Sequence, residues 1–526
     1  NMLGRLRRAR REQSSDKGYK IIINVEKIET RVAQLQDGQL EDYTIERVGD
    51  ENIIGSIFKG RVKNIDPALK AMFVDIGKER NAFLHFWDAI PAALDNGLEE
   101  VRRKKGAKKT PKRISSQDIP SIYPVGSEVL IQVSKGPIGN KGPRVTTNIS
   151  LPGRFMVLMP LNDQFGISRR IDDPKERERL RKITEKMNVP EGMGVILRTV
   201  CQGQRARYLI RDLNMLLEQW YQIEELRQNE KAPLCVFQEP DLIERTVRDF
   251  LTDEVAEVIC DDEDTVKRMM GLVAKVSRRS RKRVQHFSGG QPIFDKFNLE
   301  KQISNAFKRQ VWLPCGGSIV IDETEALIAI DVNTGRNKGK KNADKMILET
   351  NLESANEVAR QLRLRNIGGL IVVDFIDMKS RKDQMAVYRR MRERTDGDKA
   401  KIQVLQLSQL GLMEMTRQRL NESLSSSMYS GCPSCEGSGR IKSVESISVE
   451  LQRRIAGLLQ QSGEENNDLV IAVHPEVMQR LKTVDGETLS DLERRHCGRL
   501  TFRSDHALQR EEVKISNGLT GREINF

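Results

Sequence analysis

The segment from 307 to 420 constrains the fold most, because its apolar residues change period along it. SIVID (318–322) and ALIAIDVN (326–333) are short β-branched runs, and their closeness predicts a hairpin. Leu348, Leu352, Ala355, Ala359 and Leu362 then recur at steps of 4, 3, 4 and 3, which predicts a helix over 344–365. Gly368-Gly369 ends that helix, and LIVVDFID (370–377) follows as a buried strand. Strand, helix and strand make an α/β unit with a covered sheet.

Two carboxylates stand out in that unit. Asp331 ends one apolar strand and Asp374 ends another. A carboxylate among Ile, Val and Phe is costly unless something compensates it. At neighbouring strand ends the two can share a divalent cation, and ligands of α/β sheets sit at carboxyl ends of strands. Oxygen donors without His or Cys suit Mg²⁺ better than zinc. Asn333 shares the facing of Asp331 by strand alternation, so it can steer that carboxylate or an attacking water. The plain alternative is that each Asp caps a turn or a helix. The chain has five histidines (85, 286, 474, 496, 506), and none lies near either Asp in sequence. That disfavours an imidazole pair acting through a 2′-hydroxyl and favours a metal-activated water attacking phosphorus.

Upstream, KIIINVEKIETRVA (20–33) reads as two strands. IIGSIFKGRVKNI, KAMFVDIG and NAFLHF (53–86) are short β-branched runs between turns, which predicts a small barrel. Residues 91–122 interrupt it with Arg102, Arg103, Lys104, Lys105, Lys108, Lys109, Lys112 and Arg113 and few large apolar residues, as a solvated, mobile insertion does. Strands at Glu128–Val133 and Val145–Ser150 close the barrel around it. Helices are expected at Pro174–Met187 and Arg211–Asn229. The second basic run (Arg278, Arg279, Arg281, Lys282, Arg283) is expected in a loop. After 443 the order is helix (Val444–Leu459), strand (Asp468–Val473), helix (Pro475–Leu481) and strand (Arg499–Arg503), a small α+β appendage.

With 526 residues the chain exceeds one hydrophobic core, and its 31% charged residues carry a net charge of +13, which favours a polyanionic partner. No apolar run approaches the ~20 residues that span a bilayer. The start has arginines at 5, 7, 8, 10 and 11, either a basic arm for RNA or anionic lipid or the cut end of a longer chain. A first residue of Asn favours the cut end. Of seven cysteines, five are scattered (201, 235, 260, 315, 497), which excludes a secreted disulfide framework and fits a reducing cytoplasm. Cys432-Pro-Ser-Cys435 with Gly437 and Gly439 reads as half a zinc knuckle, for which a second copy of the chain is the simplest completion. A redox pair and two ordinary thiols are the alternatives. Phe73 and Phe83 lie on barrel strands, as core residues or as base-stacking rings, with Lys141 and its neighbours along the phosphates. Arg198-Thr199 sets a guanidinium beside a hydroxyl, a pairing that can bind a terminal phosphate.

ALIAIDVNTGR, TNLESANEVARQLRLRNIGGLIVVDFIDM, LGLMEMTRQR and CPSCEGSG together resemble the ribonuclease E/G family from about residue 20 to about 440. The resemblance implies a composite α/β fold. Its parts are a basic tail (1–19), an RNase H-like subdomain in two pieces (20–54 and 243–306), an S1-type OB barrel (55–148), a 5′-sensor (149–242), a DNase I-like catalytic subdomain (307–428), a zinc link (429–442) and a small domain (443–526). It implies that Asp331 and Asp374 bind catalytic Mg²⁺, with Asn333 orienting Asp331. Cys432 and Cys435 would share Zn²⁺ with a second protomer, and two such dimers would pair into a tetramer. Arg198 and Thr199 would grip a 5′-monophosphate, with Gly153 and Val157 lending backbone groups and Arg169 in support. Phe73, Phe83 and Lys141 would clamp RNA. Lys401 would also contact the RNA or the sensor; it stands where the family is expected to have Arg, and it lacks the planar fork, which weakens that contact.

The function implied is a Mg²⁺-dependent endoribonuclease. It would cut single-stranded A/U-rich RNA to 5′-phosphate and 3′-hydroxyl ends, stimulated by a 5′-monophosphate, in mRNA decay and in rRNA and tRNA processing. RNA-decay partners and a cytoplasmic setting go with it, with peripheral contact at the inner membrane surface left open. A non-catalytic RNA-binding scaffold and a DNA nuclease on the same core are the competing readings.

Overall fold

Period-two alternation sorts the barrel strands into an inner apolar and an outer polar face. In the computed structural model the strands Ile57–Asp66, Ala71–Asp75, Ala82–His85, Arg144–Thr146 and Glu128–Lys135 pair in that order, and Glu128–Lys135 pairs back on Ile57–Asp66. That closes a five-stranded barrel around Phe58, Val62, Met72, Val74, Leu84 and Ile131. The structure describes residues 18–49, 53–90, 98–100, 118–137, 141–168, 171, 173–250, 255–276, 280–335, 343–396, 398, 400–418, 424, 428–435, 437–461 and 468–524.

The chain forms two compact units, Asn1–Ser425 and Ser426–Phe526. In the first, Tyr19–Val25, Glu29–Gln36 and Gln39–Arg47 form an antiparallel run, and Val255–Cys260 joins Tyr19–Val25 in parallel. The barrel is therefore inserted within this sheet. So is a second sheet, ordered Leu151–Pro152, Met156–Met159, Gly194–Leu197, Phe165–Ser168 and Leu98–Glu100. The helix Ala206–Asn229 covers that second sheet with Leu209, Leu213, Leu216 and Trp220. It starts five residues before the expected Arg211.

Most of the basic insertion, like Arg169, Arg278 and Arg279, lies outside the described residues. The parts that are described correct the expectation of a wholly solvated segment. Leu98–Glu100 pairs with Phe165–Ser168, and Ile119 is fully buried in the barrel core. One apolar residue in a charged run is enough to anchor its end. Of the second basic run, Ser280–Arg283 forms a short 3₁₀ turn.

The 307–420 region folds as a six-stranded sheet: Gln310–Trp312, Ser318–Glu323, Leu327–Asn333, Gly369–Asp374, Leu412–Arg417, Ile402–Val404. The hairpin appears as expected, and Leu327–Asn333 runs parallel to Gly369–Asp374. The helix spans Ala343–Leu364. Its buried face is broader than the periodicity suggested and includes Thr350, Asn351, Ser354 and Gln361. Among the described residues the sheet is covered on one face only, a correction to the expected covered sheet. Ile328, Ile330, Val332, Ile371 and Val373 pack under the Ala343–Leu364 and Arg381–Thr395 helices. Ala329, Asp331, Asn333, Asp374, Glu414 and Thr416 alternate onto an open face, where polar groups keep their water.

The second unit has Val444–Gln461, Pro475–Thr483 and Gly486–His496 against a sheet ordered Arg499–Ser504, Asp468–Val473, Val513–Asn517. The Gly486–His496 helix and the Val513–Asn517 strand were not expected from sequence. Among the described residues, no helix is long and apolar enough to cross a membrane.

Candidate active site

Asp331 and Asp374 are register partners on adjacent parallel strands, and both are exposed. Register partners share a face, so the two carboxylates stand side by side, about one strand spacing (~4.8 Å) apart at the backbone. The expected desolvation cost does not arise, because both lie on the open face. Asn333 Nδ2 donates to Asp331 Oδ2 at 2.8 Å, as strand alternation anticipated. Among the described residues, no three His, Cys, Asp or Glu gather as a complete metal cage. Mg²⁺ needs none, since it is commonly bound by one or two carboxylates and keeps several waters. The donor set therefore fits a hard divalent cation.

Sequence reading missed what holds these strand ends. A Cβ on Gly335 would lie 1.5 Å from Gly316 O, so the chain leaving Asn333 packs against the 313–317 turn at glycine distance. Glu353 Oε2 accepts the Cys315 N–H at 2.8 Å, and Asn351 binds both peptide groups of Ile376, at 2.8 and 3.2 Å. One helix thus fixes the turns on both sides of the carboxylate pair. Polar residues on an apolar helix face were the available signal. Beyond Asp374 opens a cleft of about 530 Å³ lined by Asp377, Lys379, Arg381, Gln384, Ser408 and others. It adjoins the carboxylate pair without containing it.

Of the residues expected to bind a 5′-monophosphate, Arg198 and Gly153 are in contact. Arg198 follows the strand Gly194–Leu197 and sends Nη1 to Gly153 O (2.8 Å) and Asp249 Oδ1 (2.9 Å). Val157 is the register partner of Ile196, and Thr199 is exposed beside Arg198. The Gly153 N–H already donates to Met156 O, and a Cβ there would meet Asp212 Oδ2 at 2.7 Å. Asp212 accepts backbone N–H groups of Arg154, Phe155 and Met156, tying down the turn. Burial pushes its carboxyl above the ordinary range despite those donors. Burial also works to raise Asp249, but the guanidinium groups of Arg248 and Arg198 outweigh it and hold that carboxyl low.

On the barrel, Phe73 and Phe83 are cross-strand partners on the outer face, half-buried, with ring centroids 5.9 Å apart in an edge-to-face arrangement. Lys141 is exposed on the loop that docks there, where Phe83 N–H donates to Pro143 O. Lys401 is exposed just before the edge strand Ile402–Val404, three strands across the sheet from Asp331.

In the second unit, the Cys432 thiol accepts the N–H groups of Ser434 and Cys435, which hold its pKa below the usual thiol range. Burial instead pushes Cys201 and Cys260 up to about 12. N–H donors turned onto sulfur suit a thiolate ligand, and two thiols supply half of a tetrahedral zinc site.

Residues 150–420 match the family described as Ribonuclease E/G, and residues 431–518 match its thioredoxin-like domain. The chain belongs to the ribonuclease E/G family of endoribonucleases. It is 36% identical over 512 residues to Ribonuclease E of Haemophilus influenzae, covering 96% of this chain and 53% of that one. It is 35% identical over 473 residues to Ribonuclease G of Escherichia coli, covering 90% and 94%. To Ribonuclease E of Escherichia coli it is 39% identical over 462 residues, covering 87% and 42%. The chain thus spans about half the length of the Ribonuclease E relatives or less, and nearly all of the Ribonuclease G one. Family membership agrees with the resemblance carried by the 307–440 motifs.

Proposed function

We propose that this chain is a Mg²⁺-dependent endoribonuclease that cuts single-stranded, A/U-rich RNA, leaves 5′-phosphate and 3′-hydroxyl ends, and is stimulated by a 5′-monophosphate. mRNA decay and rRNA and tRNA processing are the fitting settings. The observation that carries the reading is the Asp331–Asp374 pair on the open sheet face, with Asn333 bound to Asp331.

Asp331 and Asp374 would hold the cation. When bound, Mg²⁺ supplies a Lewis acid that lowers the pKa of water and offsets charge developing on the phosphate. Asn333 fixes the plane of the Asp331 carboxylate by engaging one oxygen. The open face admits a single strand. On the barrel, Phe73 and Phe83 stack on unpaired bases while Lys141 meets phosphate, which supports single-strand preference, since a duplex hides its base faces. Arg198 and Thr199 bind a 5′-monophosphate, which a guanidinium and a hydroxyl suit better than a 5′-hydroxyl end. Cys432 and Cys435 supply two of four zinc ligands, the partner protomer the others, and two such dimers pair. The domain divisions expected from sequence belong to the same proposal.

The test uses two short single-stranded RNAs, one with a 5′-monophosphate and one with a 5′-hydroxyl, each with Mg²⁺ and with EDTA. The expected result is Mg²⁺-dependent internal cuts with 5′-phosphate ends, faster on the monophosphate. RNA bound but uncut under every condition would replace this reading with the non-catalytic scaffold.

A further inference from the structure

Among the described residues, the open face of the catalytic sheet carries one large aromatic ring. Two rows cross it. Gln310, Val320, Asp331 and Asp374 are successive register partners in one, and Trp312, Ser318 and Asn333 in the next. Trp312 therefore shares a row with Asn333 and a face with both carboxylates, two strand spacings (~10 Å at the backbone) from Asn333. Its neighbour Val311 points the other way into the core.

Trp312 is 68% exposed, as open as Trp87 beside the barrel (66%), whereas Trp220 is 3% exposed. Tryptophan is enriched at binding surfaces, where one end of the ring is covered and the other stays wet. Between it and Asn333 the row is low. Ser318 is buried, and Gln310 Nε2 holds its hydroxyl at 3.0 Å. The exposed groups of this face are mostly polar (Gln310, Asn333, Asp331, Asp374, Glu414 and Thr416), with Ala329 and Leu370 the apolar ones. A protein interface would want a contiguous apolar patch here. A lone ring in a polar field suits π-stacking on a nucleobase, which needs only the ring face and tolerates any base.

We propose that Trp312 is a substrate-positioning residue that stacks on an unpaired RNA base next to the phosphate held over Asp331 and Asp374. The proposal rests on the reading of those carboxylates as the cleavage site. Stacking holds the strand along the sheet face, so the phosphate lies over the carboxylates in one orientation. The contact is independent of the barrel rings and of the 5′-end.

The test compares Trp312→Ala and Trp312→Phe with the wild type, using a short single-stranded 5′-hydroxyl RNA with one defined cut. Single abasic positions are placed in turn on each side of that cut. Binding is read separately in an Asp374→Asn background, by fluorescence of 2-aminopurine at the same positions. The expected result is a roughly tenfold to hundredfold loss of kcat/KM in Trp312→Ala, recovered largely by Trp312→Phe. One abasic position should erase the difference between Trp312→Ala and wild type, and 2-aminopurine there should lose its quenching in Trp312→Ala. Equal cleavage and equal quenching in both proteins would overturn the proposal, as would loss of oligomeric assembly in Trp312→Ala. Asp331→Asn serves as the control for the underlying reading. If it is inactive while Trp312→Ala is normal, only the stacking role fails. If it still cuts, the carboxylate site fails first and takes the stacking role with it.

Discussion

Asn351 grips Ile376 by both peptide groups: its Nδ2 donates to the carbonyl at 2.8 Å, and its Oδ1 accepts the N–H at 3.2 Å. Asn351 is fully buried, and Ile376 lies two residues past Asp374. The amide thus sets where the chain turns as it leaves the carboxylate. Asn351→Ala should leave two part-buried backbone groups without their partner and cost up to about 1–3 kcal/mol for each group not rescued by water. Denaturant unfolding should show that loss. Cleavage should fall further than the folded fraction does, because Asp374 is no longer held in place. Wild-type kcat in the folded fraction would remove Asn351 from the positioning scheme.

Much of this site could be read in the sequence, for a physical reason. Alternation placed Asp331 and Asn333 on one face, and the apolar steps of the following helix required the parallel return that brings Asp374 alongside. The periodicity of Leu348, Leu352, Ala355, Ala359 and Leu362 could not reveal that the same helix face holds polar clamps. Thr350, Asn351 and Glu353 act on turns distant in sequence, and only the packed structure pairs them. Likewise, the strands around Asp331 and Asp374 looked buried on both faces because their apolar residues dominate the composition. The open face became evident only from the register. Leu98–Glu100 and Ile119 were hidden inside a basic run, where charge outweighed the few residues that pair or pack.

Asp331→Asn and Asp374→Asn should each reduce cleavage by at least a thousandfold while binding a short RNA within about twofold of wild type. An amide is a neutral, weaker ligand for a hard cation, so each change removes charge from the metal site without altering shape. Filter binding in EDTA and single-turnover cleavage in Mg²⁺ separate the two effects. Cleavage within tenfold of wild type in either variant would sink the metal-site assignment.

Asp249 is the counter-ion of Arg198 at 2.9 Å, and both described contacts of that guanidinium use Nη1. Nε and Nη2 are then presented in a fixed plane. Asp249→Asn should lower the ratio of 5′-monophosphate to 5′-hydroxyl cleavage rates by roughly tenfold, the scale of one charge-assisted hydrogen bond. The rate on 5′-hydroxyl RNA should not change. The pH dependence follows from the depressed carboxyl of Asp249. A group whose folded pKa lies below its unfolded value stabilises the fold above the unfolded value, and that stability is lost as pH falls through the folded one. Wild type should therefore lose more stability than Asp249→Asn on acidification below the ordinary Asp value of 3.8. Parallel acid-stability curves would show that the ion pairs of Asp249 with Arg248 and Arg198 do not form in solution.

Cys432 is exposed and its thiol is stabilised as thiolate by the N–H groups of Ser434 and Cys435. If two chains share one zinc through Cys432 and Cys435, then Cys432→Ser removes one ligand per chain and two from the site. A strong chelator should do the same to wild type. Both treatments should release about half an equivalent of zinc per chain and shift sedimentation towards smaller species. The Ala343–Leu364 helix and the carboxylate pair belong to the other compact unit, so the fold around Asp331 should persist. RNA cleavage per folded chain then reports whether assembly is needed for activity. One zinc per chain in wild type, unchanged in Cys432→Ser, would place the metal elsewhere. Zinc at half an equivalent with unchanged assembly after chelation would keep the ligands and discard the link.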